Sequence, residues 1–334
     1  MSTAPIILYR YDASPFSHKI DNALALKRII HDKVNVSPML PRPEITERLG
    51  VIYRRIPILA IGNDVYCDTS LIVSVLERRF PPSQGYGTLF PKRKNGENAD
   101  TGLIKAFSTF YAGSTLFPPT ANLLPWDKIP ETFLKDRSAL RGAPIDTKAM
   151  AAHAPISKST LSSHLLLVEE QLNDSREWLF DTELPSLADV SVHFVFAWGR
   201  SFKGTDSLFD AKRIPRTIQW IDRMTEFIKE QQASQRAPAK LHGLDAANKI
   251  ISSTYEPYDV VGFDQVEASH LGVVLGDMVK IAPEDTGRGY PTIGKLVALN
   301  REETTLEICG SVGLIRCHFP RLGFSIKLAT TTKL

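Results

Sequence analysis

The chain has 334 residues, 43% apolar and 23% charged, with a formal net charge of +3. That length allows two or three domains with a substantial core, and the composition is that of an ordinary soluble globular protein. So small and dispersed a charge excess gives no basis for nucleic-acid binding, and local basic pairs such as Arg54-Arg55 and Arg78-Arg79 read as solvated faces. Three cysteines, Cys67, Cys309 and Cys317, cannot all pair, and no CxxC or Cys/His ligand spacing occurs. This points to a reducing compartment and away from a metal.

The N-terminus enters a strand almost at once, with no apolar leader, and no run is long enough to cross a bilayer. The expectation is a cytoplasmic protein that binds neither membrane nor nucleic acid.

Ile6-Ile7-Leu8-Tyr9 reads as the first strand. Ser14 then caps a helix with Pro15 at its first position and apolar residues at Ile20, Leu24 and Ile30. Val34-Asn35-Val36 is a second strand, followed by a loop carrying Pro38, Pro41 and Pro43. Ile56-Pro57 opens a third strand through Ile61, and a proline there sits on an edge or serves a special geometry, often a cis peptide. After the Gly62-Asn63 turn and a short run at Val65-Tyr66, Asp68, Thr69 and Ser70 start a helix whose period is set by Leu71, Ile72, Val75, Leu76 and Phe80.

Turn- and charge-rich stretches at Pro81 to Gly87 and Pro91 to Gly96 form a linker. Helical patterns follow at Thr101 to Phe117, Lys158 to Leu172, Leu187 to Arg200 and Ile214 to Ile228, the third opened by a Ser186/Asp189 capping box of structural character. Asn122 to Pro155 has several prolines and little period, and reads as a long connection or a lid. His153, His164 and His193 show no ligand spacing. From about Tyr255 the pattern changes to five short β runs: Leu275 to Ala282, Thr292 to Leu299, Thr305 to Cys309, Gly313 to Phe319 and Phe324 to Leu328. Gly276 to Ile281 resembles the entrance strand of small SH3-like barrels, so a compact five-strand barrel or curled sheet is expected there.

The N-terminal order, with its Ile-Pro strand, hairpin and Asp-Thr-capped helix, resembles the glutathione-binding half of the glutathione S-transferase fold. Ser14-Pro15-Phe16 is similar to the helix start of classes in which serine replaces the cysteine of Cys-Pro-Phe/Tyr relatives. The resemblance implies a multidomain α/β + α + β chain. Residues 1–91 would form a thioredoxin-like glutathione-binding domain, 95–247 an all-helical transferase domain, and 255–334 a small SH3-like β-barrel. The added β domain is similar to that of an ascomycete group of transferase-like proteins. Residue by residue, it implies Ser14 as the catalytic hydroxyl that stabilises a glutathione thiolate, or simply a helix cap. Ile56 beside Pro57 would pair its backbone with the cysteinyl part, and Asp68 and Thr69 would hold the γ-glutamyl end. Arg42 would substitute for the usual lysine or glutamine at the glycine end. Ser17 would join the glutathione-binding set, or be a second cap or a solvent-facing hydroxyl. Phe107, Phe110, Tyr111 and Ser114 would line a pocket for an apolar electrophilic co-substrate, although an aromatic stripe at helical spacing is also what a core needs.

Two reactions stay open, conjugation and glutathione-assisted double-bond isomerisation of a secondary metabolite. The competing reading is a non-catalytic transferase-fold scaffold whose β tail does the binding. A disulfide reductase fits poorly, because Ser14 and Ser17 carry no sulfur. Family habit implies a homodimer.

Overall fold

The computed structural model describes residues 4–329. Strand β1 (Ile6–Arg10), helix α1 (Pro15–Leu26), β2 (Asp32–Asn35), α2 (Pro43–Thr46), β3 (Ile58–Ile61), β4 (Asp64–Cys67) and α3 (Thr69–Arg79) make the mixed α/β N-terminal part. The helical part holds α4 (Thr101–Ala106), a π-helical stretch (Phe107–Leu116), α5 (Phe117–Ala121), α6 (Glu131–Arg141), α7 (Thr147–Gln171), α8 (Leu187–Arg200) and α9 (Pro215–Ala233). A two-residue strand β5 (Ala239–Lys240) and short helices α10 (Gly243–Ile251), α11 (Tyr258–Val261) and α12 (Gln265–Leu271) lead to β6 (Met278–Pro283), β7 (Thr292–Leu299), β8 (Glu303–Gly310), β9 (Gly313–Pro320) and β10 (Phe324–Leu328).

All ten strands belong to one sheet, in the order β10-β6-β7-β8-β9-β4-β3-β1-β2-β5. The C-terminal strands thus do not stand apart as a barrel. β9 pairs parallel with β4, matching Val65 with Cys317, and carries the sheet onward. The alternation of β1 explains the layering. Leu8 enters a core shared with α1, α3 and α8, while Ile7 and Tyr9 enter a second core shared with α10 and the C-terminal strands. Cys67 and Cys317 lie in that second core as free thiols, their sulfurs 3.8 Å apart.

The junction holds a buried charge network. His318 of β9 donates from Nδ1 to Glu303 Oε1 at 2.6 Å and from Nε2 to Asp64 Oδ1 at 3.1 Å. Arg79 meets Asp64 at 2.9 Å, and Arg78 bridges Glu303 at 2.8 Å and Glu256 at 2.6 Å. Arg78-Arg79 is therefore a half-buried clamp and not the solvated pair expected from sequence. Burial by itself lowers an imidazole's pKa, but the two carboxylates overcome it and raise His318 to about 9. Burial raises Glu303, but His318 and Arg78 outweigh it and hold its carboxyl at about 2.

The long connection expected over Asn122 to Pro155 is instead mostly helical. α6 buries none of its residues, so no apolar stripe announces it. α7 starts at Thr147, where Asp146 caps it, and runs through Pro155. Its buried positions begin only at Ser157. The Ser186/Asp189 box does cap α8, and Asp189 also accepts from Trp220 Nε1 at 2.9 Å.

Removing the imidazole leaves two buried carboxylates short of a partner. His318→Ala is therefore expected to lower stability by about 3–5 kcal/mol in urea unfolding. The raised His318 pKa contributes stability that is complete below its ordinary 6.5 and lost as pH climbs through about 9. The lowered Glu303 pKa contributes stability that is complete above 4.5 and lost as pH falls through about 2. Wild type should be most stable between these limits, and a His318→Ala protein should lose the alkaline limb of the profile.

Candidate functional site

Register brings the proposed site residues to one end of the sheet. Tyr9 faces Ile58 across β1 and β3, and Ile58 faces Cys67 across β3 and β4. Ser14, Ile56 and Asp68 lie just beyond those three positions. The Ile56–Pro57 peptide is cis, and both ladders of β3 begin at Ile58, so Ile56 lies outside them.

Ser14 caps α1: its Oγ accepts the Ser17 N–H at 3.2 Å, which leaves the hydroxyl proton free to donate elsewhere. It is only 2% exposed. Ser17 is fully buried, not solvent-facing, and its hydroxyl has no partner among the described residues.

Asp68 has φ +74°, a left-handed conformation that a non-glycine residue rarely adopts. Its Oδ1 caps α3, accepting from Ser70 N at 2.9 Å and Ser70 Oγ at 2.7 Å. Its Oδ2 accepts from the Tyr53 hydroxyl at 3.4 Å and has Arg55 Nη1 at 3.8 Å. Thr69 opens α3 half-buried. Burial pushes the Tyr53 phenol well above its ordinary value, so it stays a donor.

Tyr53 and Arg55 were not legible as site residues. Their neighbour Arg54 is buried, pairing with Asp136 of α6 at 2.8 Å and stacking on Tyr290 at 4.5 Å. The sequence reading of Arg54-Arg55 as a solvated pair is thus overturned by contacts from α6 and the C-terminal strands, both remote in the chain.

Arg42 does not serve the role the resemblance implied. Its guanidinium is buried and donates to the carbonyls of Ser37 at 2.7 Å, Pro38 at 3.0 Å and Arg54. It ties the loop before α2 to the loop before β3. α6 reinforces the same loops, since Asp136 also accepts from Leu40 N at 3.0 Å and Arg137 donates to the Pro38 carbonyl at 2.8 Å.

The four residues expected to line a co-substrate pocket do not converge. Phe107 stacks on Tyr111 with centroids 4.7 Å apart, and the Tyr111 hydroxyl meets His164 Nδ1 at 3.2 Å. Ser114 is exposed. Phe110 lines a cavity of about 250 Å³ that the other three do not reach. The π-helical turn from Phe107 to Leu116 is the reason: its i→i+5 bonds break the 3.6-residue period from which the stripe was read. A different aromatic group lies near Ser14. Phe16 meets Phe117 at 4.7 Å and Phe194 at 5.2 Å, and Phe117 stacks on Trp198 at 5.4 Å.

Arg42→Met strands three carbonyls, and unfolding by urea is expected to show a loss of about 1–3 kcal/mol.

Among the described residues no cluster of His, Cys, Asp or Glu could hold a metal ion, and no helix is long and apolar enough to cross a membrane. Residues 8–84 match the family described as glutathione S-transferase, N-terminal domain, and residues 113–233 match a domain of unknown function. No curated protein matches the chain. The crystal structure of a GST-like protein from Pseudomonas syringae is 25% identical, with a TM-score of 0.69 over 98% of this chain and 100% of that chain. That likeness runs through the C-terminal strands, and it is bacterial. A rice GST solved in complex with glutathione is 18% identical, with a TM-score of 0.50 over 75% of this chain and 96% of that one, and shares the fold. With an N-terminal part that matches the transferase family and a whole-chain likeness to a bacterial GST-like protein, this chain is a member of the glutathione S-transferase-like superfamily.

Proposed function

We propose that the protein is a glutathione-dependent transferase or isomerase acting on an apolar electrophile. The observation that carries this reading is the convergence of Ser14, Ile56 and Asp68 at one end of the sheet, with Asp68 held in a strained conformation. Glutathione fits the donor set: Asp68 and the start of α3 suit its γ-glutamyl end, and the Ile56 backbone outside the ladder suits its cysteinyl amide. When bound it would supply the thiol that attacks the co-substrate.

Ser14 would donate its hydroxyl proton to the thiolate while one of its lone pairs accepts the Ser17 N–H. The N-terminus of α1 adds a favourable field for negative charge. Asp68 Oδ2 is the acceptor for an ammonium, with Thr69 and the first-turn N–H groups of α3 beside it. The aromatic group of Phe16, Phe117 and Trp198 offers an apolar wall near Ser14.

A non-catalytic binding protein is the second reading, favoured by the 2% exposure of Ser14. Titration calorimetry with glutathione on wild type and Asp68→Ala, and turnover of an activated aryl halide by wild type and Ser14→Ala, separate the two. As an enzyme, Asp68→Ala should lose most glutathione affinity and Ser14→Ala should lose about 10²–10³-fold in kcat/KM, as expected for removing one donor to developing negative charge. Tight glutathione binding with no turnover, indifferent to Ser14, would favour the second reading. No glutathione binding by wild type would sink both as stated.

A further inference from the structure

We propose that Cys67 and Cys317 are a peroxide-sensitive dithiol whose oxidation to a disulfide clamps the C-terminal strands onto the N-terminal sheet. The inference stands apart from the function proposed above and rests on the β4–β9 junction alone.

β4 and β9 run parallel, with Val65 opposite Cys317. Cys67 lies two residues beyond Val65, so it faces the same side of the sheet and sits diagonally across from Cys317. That side is the second core, and both cysteines are completely buried in it. Their sulfurs are 3.8 Å apart, and each is the other's partner among the described residues. Two cysteines in an apolar core can serve as small hydrophobes and nothing more. Contact between the sulfurs sets this pair apart. A disulfide needs them at about 2.0 Å, so each has to move by only about 1 Å.

The oxidation removes two electrons and two protons from the pair. One sulfur attacks an oxygen of hydrogen peroxide, which leaves a sulfenic acid on the protein and releases water. The second sulfur then attacks that sulfenic sulfur and expels its oxygen as a second water. Two S–H bonds are lost, one S–S bond forms, and the peroxide is reduced to two waters. Burial, and after it the neighbouring thiol, pushes Cys67 well above the ordinary thiol range, so the step is slow near neutral pH.

Burial also selects the oxidant. A molecule the size of hydrogen peroxide can enter on small fluctuations of the core, whereas a peptide disulfide has to lift β9 from β4 first. The third cysteine, Cys309, is exposed on β8 and open to both.

The bond would join residues 250 positions apart, so it would constrain the unfolded chain strongly. Cys317 also directly precedes His318, whose ring ties β9 to Glu303 and Asp64 by charge. A covalent link at this point would keep β9 in register when that network is weakened.

The test uses the full chain as Cys309→Ala, which isolates the buried pair, with Cys67→Ala and His318→Ala beside it. Each is treated while folded with hydrogen peroxide or with glutathione disulfide. With peroxide, Cys309→Ala should lose two hydrogens in mass and yield a cross-linked peptide pair containing Cys67 and Cys317. Glutathione disulfide should leave it unchanged. Its Tm should rise with the cross-link by about 3–8 °C. Peroxide should restore part of the Tm that His318→Ala loses, and Cys67→Ala should gain nothing. If both thiols still alkylate in urea after peroxide, or carry sulfinic acid in place of the cross-link, the dithiol is disproved. A cross-link that leaves the Tm of Cys309→Ala unchanged would overturn the clamp, and one formed equally fast by glutathione disulfide would overturn the selection by size.

Discussion

A single buried imidazolium decides where the C-terminal third of the chain sits. Left bare, β4 would be an edge of unpaired N–H and C=O groups, and β9 covers it through a short parallel ladder. Backbone pairing alone is tolerant of register. His318 is not, because its two nitrogens must meet Glu303 on β8 and Asp64 on β4 together. A slip of β9 by one residue would turn the ring to the other face and leave both carboxylates buried and unpaired. Three acids and three bases (Asp64, Glu256, Glu303, Arg78, Arg79, His318) then neutralise one another across the junction.

That placement reaches the candidate site through the loop before β3. Thr292 Oγ1 on β7 accepts the N–H groups of Ile52 and Tyr53 at 3.1 and 3.0 Å. Arg55 is held by Asp285 and the Thr286 carbonyl, and Arg54 by Tyr290. The hairpin tip at Gly310 comes so close to Arg48 that a Cβ there would lie 1.9 Å from its carbonyl oxygen, which only glycine permits. The C-terminal strands thus carry none of the proposed catalytic residues, yet they and the loop between β6 and β7 fix the segment from which Tyr53 and Arg55 reach Asp68. Their contribution is preorganisation of a site built on the N-terminal sheet.

What could be read from sequence was what is specified locally. The caps at Ser14 and Asp68, the proline at position 57 and the apolar run of β1 each declare themselves within a few residues, and so did the Ser186/Asp189 box. The five C-terminal strands were also legible as strands. Their union with β4 was not, because the residues paired at Val65 and Cys317 are far apart in the chain and a strand's pattern does not name its partner. α6 escaped because a helix with no buried face has no apolar period. The co-substrate stripe failed because a π-helical turn has the wrong period for it. The charged residues were the hardest: Arg54, Arg78 and Lys19 look like surface residues until elements remote in sequence close over them.

Two buried cations, Arg42 and Lys19, show how differently one fold can hold a desolvated charge. Arg42 and Lys19 are each 3% exposed, so burial cannot tell them apart. Arg42 donates three of its five N–H groups to backbone carbonyls, which ties it to the loops before α2 and β3. Lys19 has no ion pair or hydrogen bond among the described residues, and it lines a cavity with Ser108, whose buried hydroxyl has no partner there. Burial pulls the Lys19 pKa down to about 8, so near neutral pH the ammonium is still mostly protonated and its desolvation cost stands. The arginine was the more conspicuous candidate in the sequence, but its three bonds to the backbone of two loops make it part of the scaffold.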